Sequence, residues 1–468
     1  MKAMKKVLVL LLTVIMAFGM MACGKDDKDT SKDLPKTQDS DSGKKDTPSD
    51  VGSTEKVKLT FSIWGGQDEQ ANTQITVDKF NASQDRIEVE VLAIPWENYL
   101  TKLNSMATAN ELPDTGMMME TAVIPYAKEG MFADVSDMFK GQKVLDSLAF
   151  TYDGEIMAYS SANEVLLLFY NRDMFDAAGI PYPPADAANA WTWDEFVQTA
   201  KLLTLDSSGK NATEAGFDAN NIVQYGCSVE NLMWQLEVWA ISNGAGYFTE
   251  DGKELIIDDP ATIAALQEVA DLYLAHKVAP LSTGATDDGI PRTIISGTVA
   301  MATNGQWNVG TSLKSAKDEG LNYGVGVLPY MKEKVTICTG GPTVVFAQSK
   351  HPEEAKEFLS WYNSIENSWK LIEDGIWMPI FEEYYTDESL TRKWVENEAF
   401  PPYEEYKSAV VDYAVNNTKR AAWYYTNNID NFYAVLGSVL GEVWTGGDTV
   451  ENAITSNIDV LRDAFEGR

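Results

Sequence analysis

Between Val57 and Gly130 the chain exchanges one hydrophobic period for another several times, and that exchange narrows the folds open to it. Val57-Lys-Leu-Thr-Phe-Ser-Ile-Trp64 alternates apolar and polar positions, the pattern of a half-buried strand. Gly65-Gly66 ends it, and a helical stretch to about Asn81 follows. Arg86-Ile-Glu-Val-Glu-Val-Leu92 alternates again, and Trp96 to Asn110 reads as helix. Gly116-Met-Met-Met119 reads as a short buried strand and Ile124 to Gly130 as a further helical piece. Strand, helix, strand, helix predicts an α/β lobe around a largely parallel sheet.

Later helices carry their own punctuation. Asp259-Pro260 supplies a cap and a first-turn proline ahead of Ile263, Leu266, Ala270 and Tyr273, which share one face. Pro352 opens another helix, with Phe358, Leu359 and Tyr362 on its buried side and Gly375 after its end. Ile454, Ile458, Leu461 and Phe465 recur on one face of a C-terminal helix. No internal repeat is visible, and 468 residues suffice for two domains, each with a core of its own.

The residues ahead of Val57 have a different character. Met1-Lys-Ala-Met-Lys-Lys6 is followed by an apolar run from Val7 to Met21, shorter than the ~20 residues a membrane span needs. Met20-Met21-Ala22-Cys23 resembles the bacterial lipobox, in which the cysteine is lipidated and becomes the first mature residue; the residue at the Met20 position is more often Leu. Residues 1–22 are therefore expected to be a lipoprotein signal peptide and Cys23 the attachment point of a membrane anchor. From Gly24 to Lys56 the chain is mostly Lys, Asp, Ser, Thr, Gly and Pro, with no aromatic residue, so 23–56 is expected to be a flexible tether. An anchored tether suits the outer face of the cell membrane of a single-membrane, Gram-positive-type bacterium.

A formal charge of −33 argues against a nucleic-acid partner, because phosphate backbones need a basic surface. The two histidines, His276 and His351, have no Cys or His at ligand spacing, so no metal and no cofactor is expected. Cys227 and Cys338 are expected to be two separate buried thiols. No G-x-S-x-G, HExxH or P-loop is present to support a hydrolase or NTPase. A surface-anchored glycoside hydrolase is the alternative from another class. It would need two carboxylates about 5–10 Å apart, and the 70 Asp and Glu residues leave that open.

Several segments, taken in order, resemble the extracellular solute-binding proteins of bacterial ABC sugar importers, the family that includes maltose-binding protein. They are Leu59-Thr-Phe-Ser-Ile-Trp64, Leu112-Pro-Asp-Thr-Gly116, Tyr126-Ala-Lys-Glu-Gly-Met-Phe132 and Leu168-Phe-Tyr-Asn-Arg-Asp-Met-Phe175. Trp191-Thr-Trp-Asp-Glu-Phe196, Gly297-Thr-Val-Ala-Met301 with Asn304-Gly-Gln-Trp307, Tyr323-Gly-Val-Gly-Val-Leu-Pro329, Thr339-Gly-Gly341 and Ala355-Lys-Glu-Phe-Leu359 continue the series. The match runs from about Val57 to Trp377 and is poor after Pro379. The resemblance implies a two-lobed periplasmic-binding-protein fold, with discontinuous α/β lobes at 57–165 with 344–378 and at 166–343 with 379–468. Crossings are implied near Asn163 to Leu168, Thr339 to Val345 and Gly375 to Glu382, with a ligand cleft that closes by hinge motion. The implied function is not enzymatic: capture of a mono- or oligosaccharide by a monomer and its delivery to an ABC transporter permease in the membrane.

A sugar presents hydroxyls to bond and C–H faces to pack on rings, so its site should mix aromatic platforms with Asp, Glu, Asn and Gln. The chain holds 13 tryptophans. Trp307, in the loop after Asn304-Gly305, stands where the family places a stacking aromatic, and Asn304 is expected beside it as a polar ligand contact. Trp377 falls at a crossing, Trp234 at a helix start, and Trp64 at the end of the first strand. Gln67, Asp68 and Glu69 follow a strand's C-terminal end, the edge at which open α/β sheets bind ligands, and Glu120 with Thr121 follows the Met117 strand in the same way. Glu164 lies six residues before Tyr170, where maltose-binding protein has a sugar-contacting carboxylate. Gly340 and Gly341 would let backbone approach a ligand. Phe432 and Trp423 complete the expected set from the poorly matched end.

Overall fold

The structure, a computed structural model, describes residues 56–64, 67–280, 294–398 and 400–468, with the side chains of Gln67, Asp68 and Glu69 excepted. The expected leader, Cys23, all of the tether except Lys56, and the Gly65-Gly66 turn lie outside the described residues. Two sheets organise the rest. The first runs in the order β2 (Ile87–Ala93), β1 (Val57–Ile63), β3 (Thr115–Met117), β12 (Pro342–Val345), β5 (Glu155–Ser160), β4 (Ala149–Tyr152). Strands β2, β1 and β3 are parallel, as the alternating pattern predicts. The other half is antiparallel, and the expectation of a largely parallel sheet is corrected there. A hairpin builds it: Asp153 and Gly154, at φ 52° and 87°, form the tight turn that an Asp-Gly pair favours between antiparallel strands.

The second sheet runs β13 (Thr418–Lys419), β11 (Thr336–Thr339), β6 (Glu164–Asn171), β9 (Val299–Gly305), β8 (Ile222–Ser228), β7 (Leu205–Asp206), and β10 (Tyr323–Gly326) also pairs with β6. Strand β6 lies inside the sheet, paired on both edges, and is buried on both faces from Val165 to Asn171, which is why its run of apolar residues does not alternate. It begins at Glu164, inside the range 57–165 expected for the first lobe, and β12 begins at Pro342, inside 166–343.

Late parts of the chain return to complete the first lobe's core. Phe61 of β1 is fully buried and meets the rings of Phe358 and Tyr362, each at 5.1 Å, on the helix Pro352–Tyr362. Phe80, on the helix Gln67–Ser83, meets Phe358 at 5.1 Å from the other side. Each such pair adds about 0.5–1.5 kcal/mol to what burial already contributes.

Helix ends follow local chemistry. Asp259 accepts a bond from the Ala261 amide and Pro260 opens the helix Pro260–Leu274, as read from the sequence. Two expected single helices are split. The helix from Pro352 stops at Tyr362 and a second runs Ile365–Glu373; the C-terminal helix breaks at Asn457 into Val450–Ser456 and Ile458–Glu466. Asparagine stands at both breaks: Asn457 Nδ2 donates to the Ala453 carbonyl at 2.8 Å, competing for a backbone partner, whereas Asn363 Nδ2 donates to the Thr343 hydroxyl at 3.0 Å. Cys227 and Cys338 are buried and not bonded to each other. Among the described residues no helix is long and apolar enough to cross a membrane.

Three segments join the sheets. Ser161 and Ala162 donate backbone bonds to the Gly341 and Gly340 carbonyls, both at 3.1 Å, so the first two crossings run side by side. In the third, Gly375 O accepts from Gln306 Nε2 at 2.9 Å, and Ile380 O accepts from the Leu145 amide at 3.0 Å. That segment therefore touches both lobes.

Candidate functional site

The C-terminal ends of β1, β2 and β3 point the same way because the strands are parallel, and they open onto one cavity. Its volume is ≈ 400 Å³. Trp64 follows β1, Trp96 lies in the turn after β2, and Met117 and Met119 stand at the end of β3. Glu120 and Thr121 come next, as the first residues of the helix Glu120–Lys128 and not of a loop. That helix starts four positions earlier than Ile124 and carries Pro125 inside it, where the ring leaves the Thr121 carbonyl without its helical amide donor.

The opposite wall comes from the second lobe. Trp307 lies in the turn after β9, Trp234 on the helix Met233–Ser242, and Trp423 in the turn Ala422–Tyr424. Asp430 and Tyr433 project from the helix Ile429–Val439. Between the walls lie the crossings, which contribute Glu164, Thr339, Gly340, Gly341 and Trp377.

The rings are set by one another. Trp64 is held edge-on between Trp96 at 5.3 Å and Tyr99 at 5.1 Å. Trp234 meets Trp423 at 5.6 Å and 60°, and lies 6.5 Å from Trp307 at 33°. Gly305 is required under Trp307, because a Cβ there would come within 1.7 Å of the indole. Trp96, 51% exposed, forms the open lip.

The polar groups link the lobes. Glu120 Oε1 accepts from the Thr339 hydroxyl and from the amides of Gly340 and Gly341, at 3.2 and 3.1 Å. Burial raises the Asp430 carboxyl above its ordinary range; the neighbouring Thr121 hydroxyl opposes that rise and the nearby Glu120 charge adds to it. Gly340 cannot carry a side chain, since a Cβ would sit 1.9 Å from the Ala162 carbonyl oxygen, and Gly341 adopts φ 56°.

Of the residues expected from sequence, Trp64, Glu120, Thr121, Glu164, Trp234, Trp307, Gly340, Gly341, Trp377 and Trp423 are brought together around this cavity. Two are not. Asn304 is 1% exposed in β9, with its side-chain oxygen accepting from the Gly305 amide at 2.6 Å. Phe432 is fully buried against Phe248 at 4.8 Å. Its neighbour Tyr433 faces the cavity instead, since successive helical residues point about 100° apart. The side chains of Gln67, Asp68 and Glu69 lie outside the described residues. Trp96 was legible by the same strand-end rule that selected Gln67, Asp68 and Glu69, and Thr339 by its place beside Gly340 in a matched segment, whereas Asp430 carries no signal of its own.

Around the cavity stand seven aromatic rings and three carboxylates, with no lysine, arginine or histidine among the described lining residues. Such a wall suits a neutral ligand with stackable faces and hydroxyl donors, and it disfavours an anion. Among the described residues no group of three His, Cys, Asp or Glu side chains is arranged to hold a metal ion.

Comparison with known proteins is consistent with this architecture. A family described as bacterial extracellular solute-binding protein matches residues 76–402. The lactose-binding protein of Rhizobium radiobacter is 28% identical over 257 residues, 53% of this chain and 56% of that protein. The sn-glycerol-3-phosphate-binding periplasmic protein of Brucella abortus (strain 2308) is 26% identical over 363 residues, 70% of this chain and 76% of that one. The crystal structure of the cyclic alpha-maltosyl-1,6-maltose binding protein from Arthrobacter globiformis superposes with a TM-score of 0.71 at 21% identity. It covers 88% of this chain and 100% of that one, a likeness of two-lobed fold.

Proposed function

This chain belongs to the bacterial extracellular solute-binding protein family, and from that premise we propose that it captures a neutral carbohydrate between its lobes and hands it to the permease of an ABC importer. The observation that carries the reading is the makeup of the cavity wall, seven rings and three carboxylates without a cation among the described lining residues. Rings pack on the C–H faces of a sugar, and carboxylates accept its hydroxyls. A phosphate ester would leave its charge uncompensated beside Glu120, Glu164 and Asp430. The chain is thus read as a sugar binder and not as a relative specialised for sn-glycerol 3-phosphate.

The residues proposed to contact ligand are the ten expected ones that line the cavity, joined by Trp96, Thr339, Asp430 and Tyr433. The lobes are proposed to follow the ranges 57–165 with 344–378 and 166–343 with 379–468, with the crossings as hinges. Ligand touching both walls favours the closed arrangement, so binding and closure are coupled. Cys23 is proposed as the lipid attachment point, keeping a monomer at the outer face of the membrane beside its transporter.

We read the protein as a binder without catalysis. Three carboxylates in the cleft make the hydrolase alternative worth one direct test. Purified protein is incubated with neutral oligosaccharides, with tryptophan emission and product chromatography followed together. A saturable emission change with intact sugar is expected; release of shortened sugars would sink the proposal.

A further inference from the structure

We infer that Glu237 is a positioning residue for the cleft: its buried carboxylate holds the turn carrying Trp423 and the helix carrying Tyr433, so its ionisation tunes ligand affinity. Glu237 is 1% exposed on the helix Met233–Ser242, one turn beyond Trp234. Its Oε2 accepts from the Ala422 amide at 3.2 Å and from Tyr433 Oη at 3.2 Å. Ala422 opens the turn that presents Trp423, and Tyr433 itself lines the cavity. Two cleft aromatics from two distant chain segments thus depend on one carboxylate that is not among the cavity's lining residues.

The groups facing it are Tyr433 on the helix Ile429–Val439, Tyr247 beyond the end of its own helix, and Tyr425 after the turn. Burial first, and then the Glu237 charge, raises all three phenols, so they keep their protons through the neutral range. No lysine, arginine or histidine pairs with Glu237 among the described residues. Burial pushes its carboxyl up to about 7, against the Ala422 and Tyr433 bonds, which lower it.

The direction follows from hydrogen-bond strength. Ionised, Glu237 receives two charge-assisted bonds, about twice as strong as neutral ones, and fixes Tyr433 as its donor. The polarised phenol oxygen is then a better acceptor for a ligand hydroxyl. Protonated, the carboxyl holds both partners less firmly. Affinity should therefore rise as pH increases through neutrality, and binding should release a fraction of a proton by reciprocity.

The ligand half of this inference rests on the carbohydrate reading above; the positioning half does not, and the test separates them. Tryptophan emission of the ligand-free full-length chain is recorded from pH 5.5 to 8.5 for wild type, Glu237→Gln and Tyr433→Phe. Wild type should show a transition with a midpoint near 7. Glu237→Gln should lack it, and Tyr433→Phe, having lost a bond that lowers the carboxyl, should show it at higher pH. Maltotriose should bind wild type about 3- to 10-fold more tightly at pH 8 than at pH 6, and Glu237→Gln nearly equally at both. A flat wild-type profile, or one shared unchanged by a folded Glu237→Gln, would overturn the inference. Should Glu237→Gln fail to fold, an unmoved midpoint in Tyr433→Phe would overturn it instead. If the emission transition behaves as described but no neutral sugar binds, the carbohydrate reading fails and the positioning role stands.

Discussion

Trp307 carries the proposed stacking contact, and Gly305 carries Trp307. Replacing Trp307 by Ala should weaken sugar binding by about 2 kcal/mol, roughly thirtyfold, measured by calorimetric titration. Gly305→Ala tests the support: its new methyl meets the indole 1.7 Å away, so the ring must move. A similar loss of affinity is expected, with a stability cost of about 1–3 kcal/mol in urea unfolding. Glu237 makes a further prediction on stability. Its folded carboxyl, raised to about 7 from the ordinary 4.5, holds more protons than the unfolded one between those values. Stability conferred by that proton is complete below about pH 4.5 and is lost as pH rises to about 7. Glu237→Gln should therefore gain on wild type across that window, by up to about 3 kcal/mol, in thermal melts at pH 5 and pH 8.

Among the elements, the crossing at Thr339-Gly340-Gly341 is the most constrained. Gly341→Val places a branched side chain at φ 56° and should cost about 1–3 kcal/mol, while Ala at an exposed helical position such as Lys393 should cost little. Unfolding midpoints in urea would show it; equal midpoints would refute the strained crossing. How much of these elements the sequence disclosed depended on how local their cause was. Alternation from Val57 to Trp64 and the cap at Asp259-Pro260 are local, and both read correctly. The antiparallel half of the first sheet is not local: β12 arrives from far along the chain, and only the Asp153-Gly154 turn is a local hairpin signal. The Tyr433 position was missed by one residue because the segment was legible and its helical phase was not. Asn304 reads as a polar sugar ligand, yet its oxygen is taken by the Gly305 amide, a choice only packing decides.

Across the whole molecule, two sheets share a cleft whose polar lining already ties the first lobe to the crossing, through Glu120 with Thr339, Gly340 and Gly341. The ring of Phe150 from the first sheet also stacks on Tyr424 at 4.1 Å. A ligand bound to both walls adds to these bridges, so small-angle scattering should report a smaller radius of gyration with sugar than without it. An unchanged radius at saturation would count against hinge closure. The identity of the cargo is the central claim, and a thermal-shift titration tests it most directly. Wild type and Trp307→Ala are compared across neutral mono- and oligosaccharides and sn-glycerol 3-phosphate. A neutral sugar at 100 times its Kd should add about 2.7 kcal/mol to wild type, and far less to the variant at the same concentration. A response confined to the phosphate ester, or one that Trp307→Ala retains in full, would contradict the account.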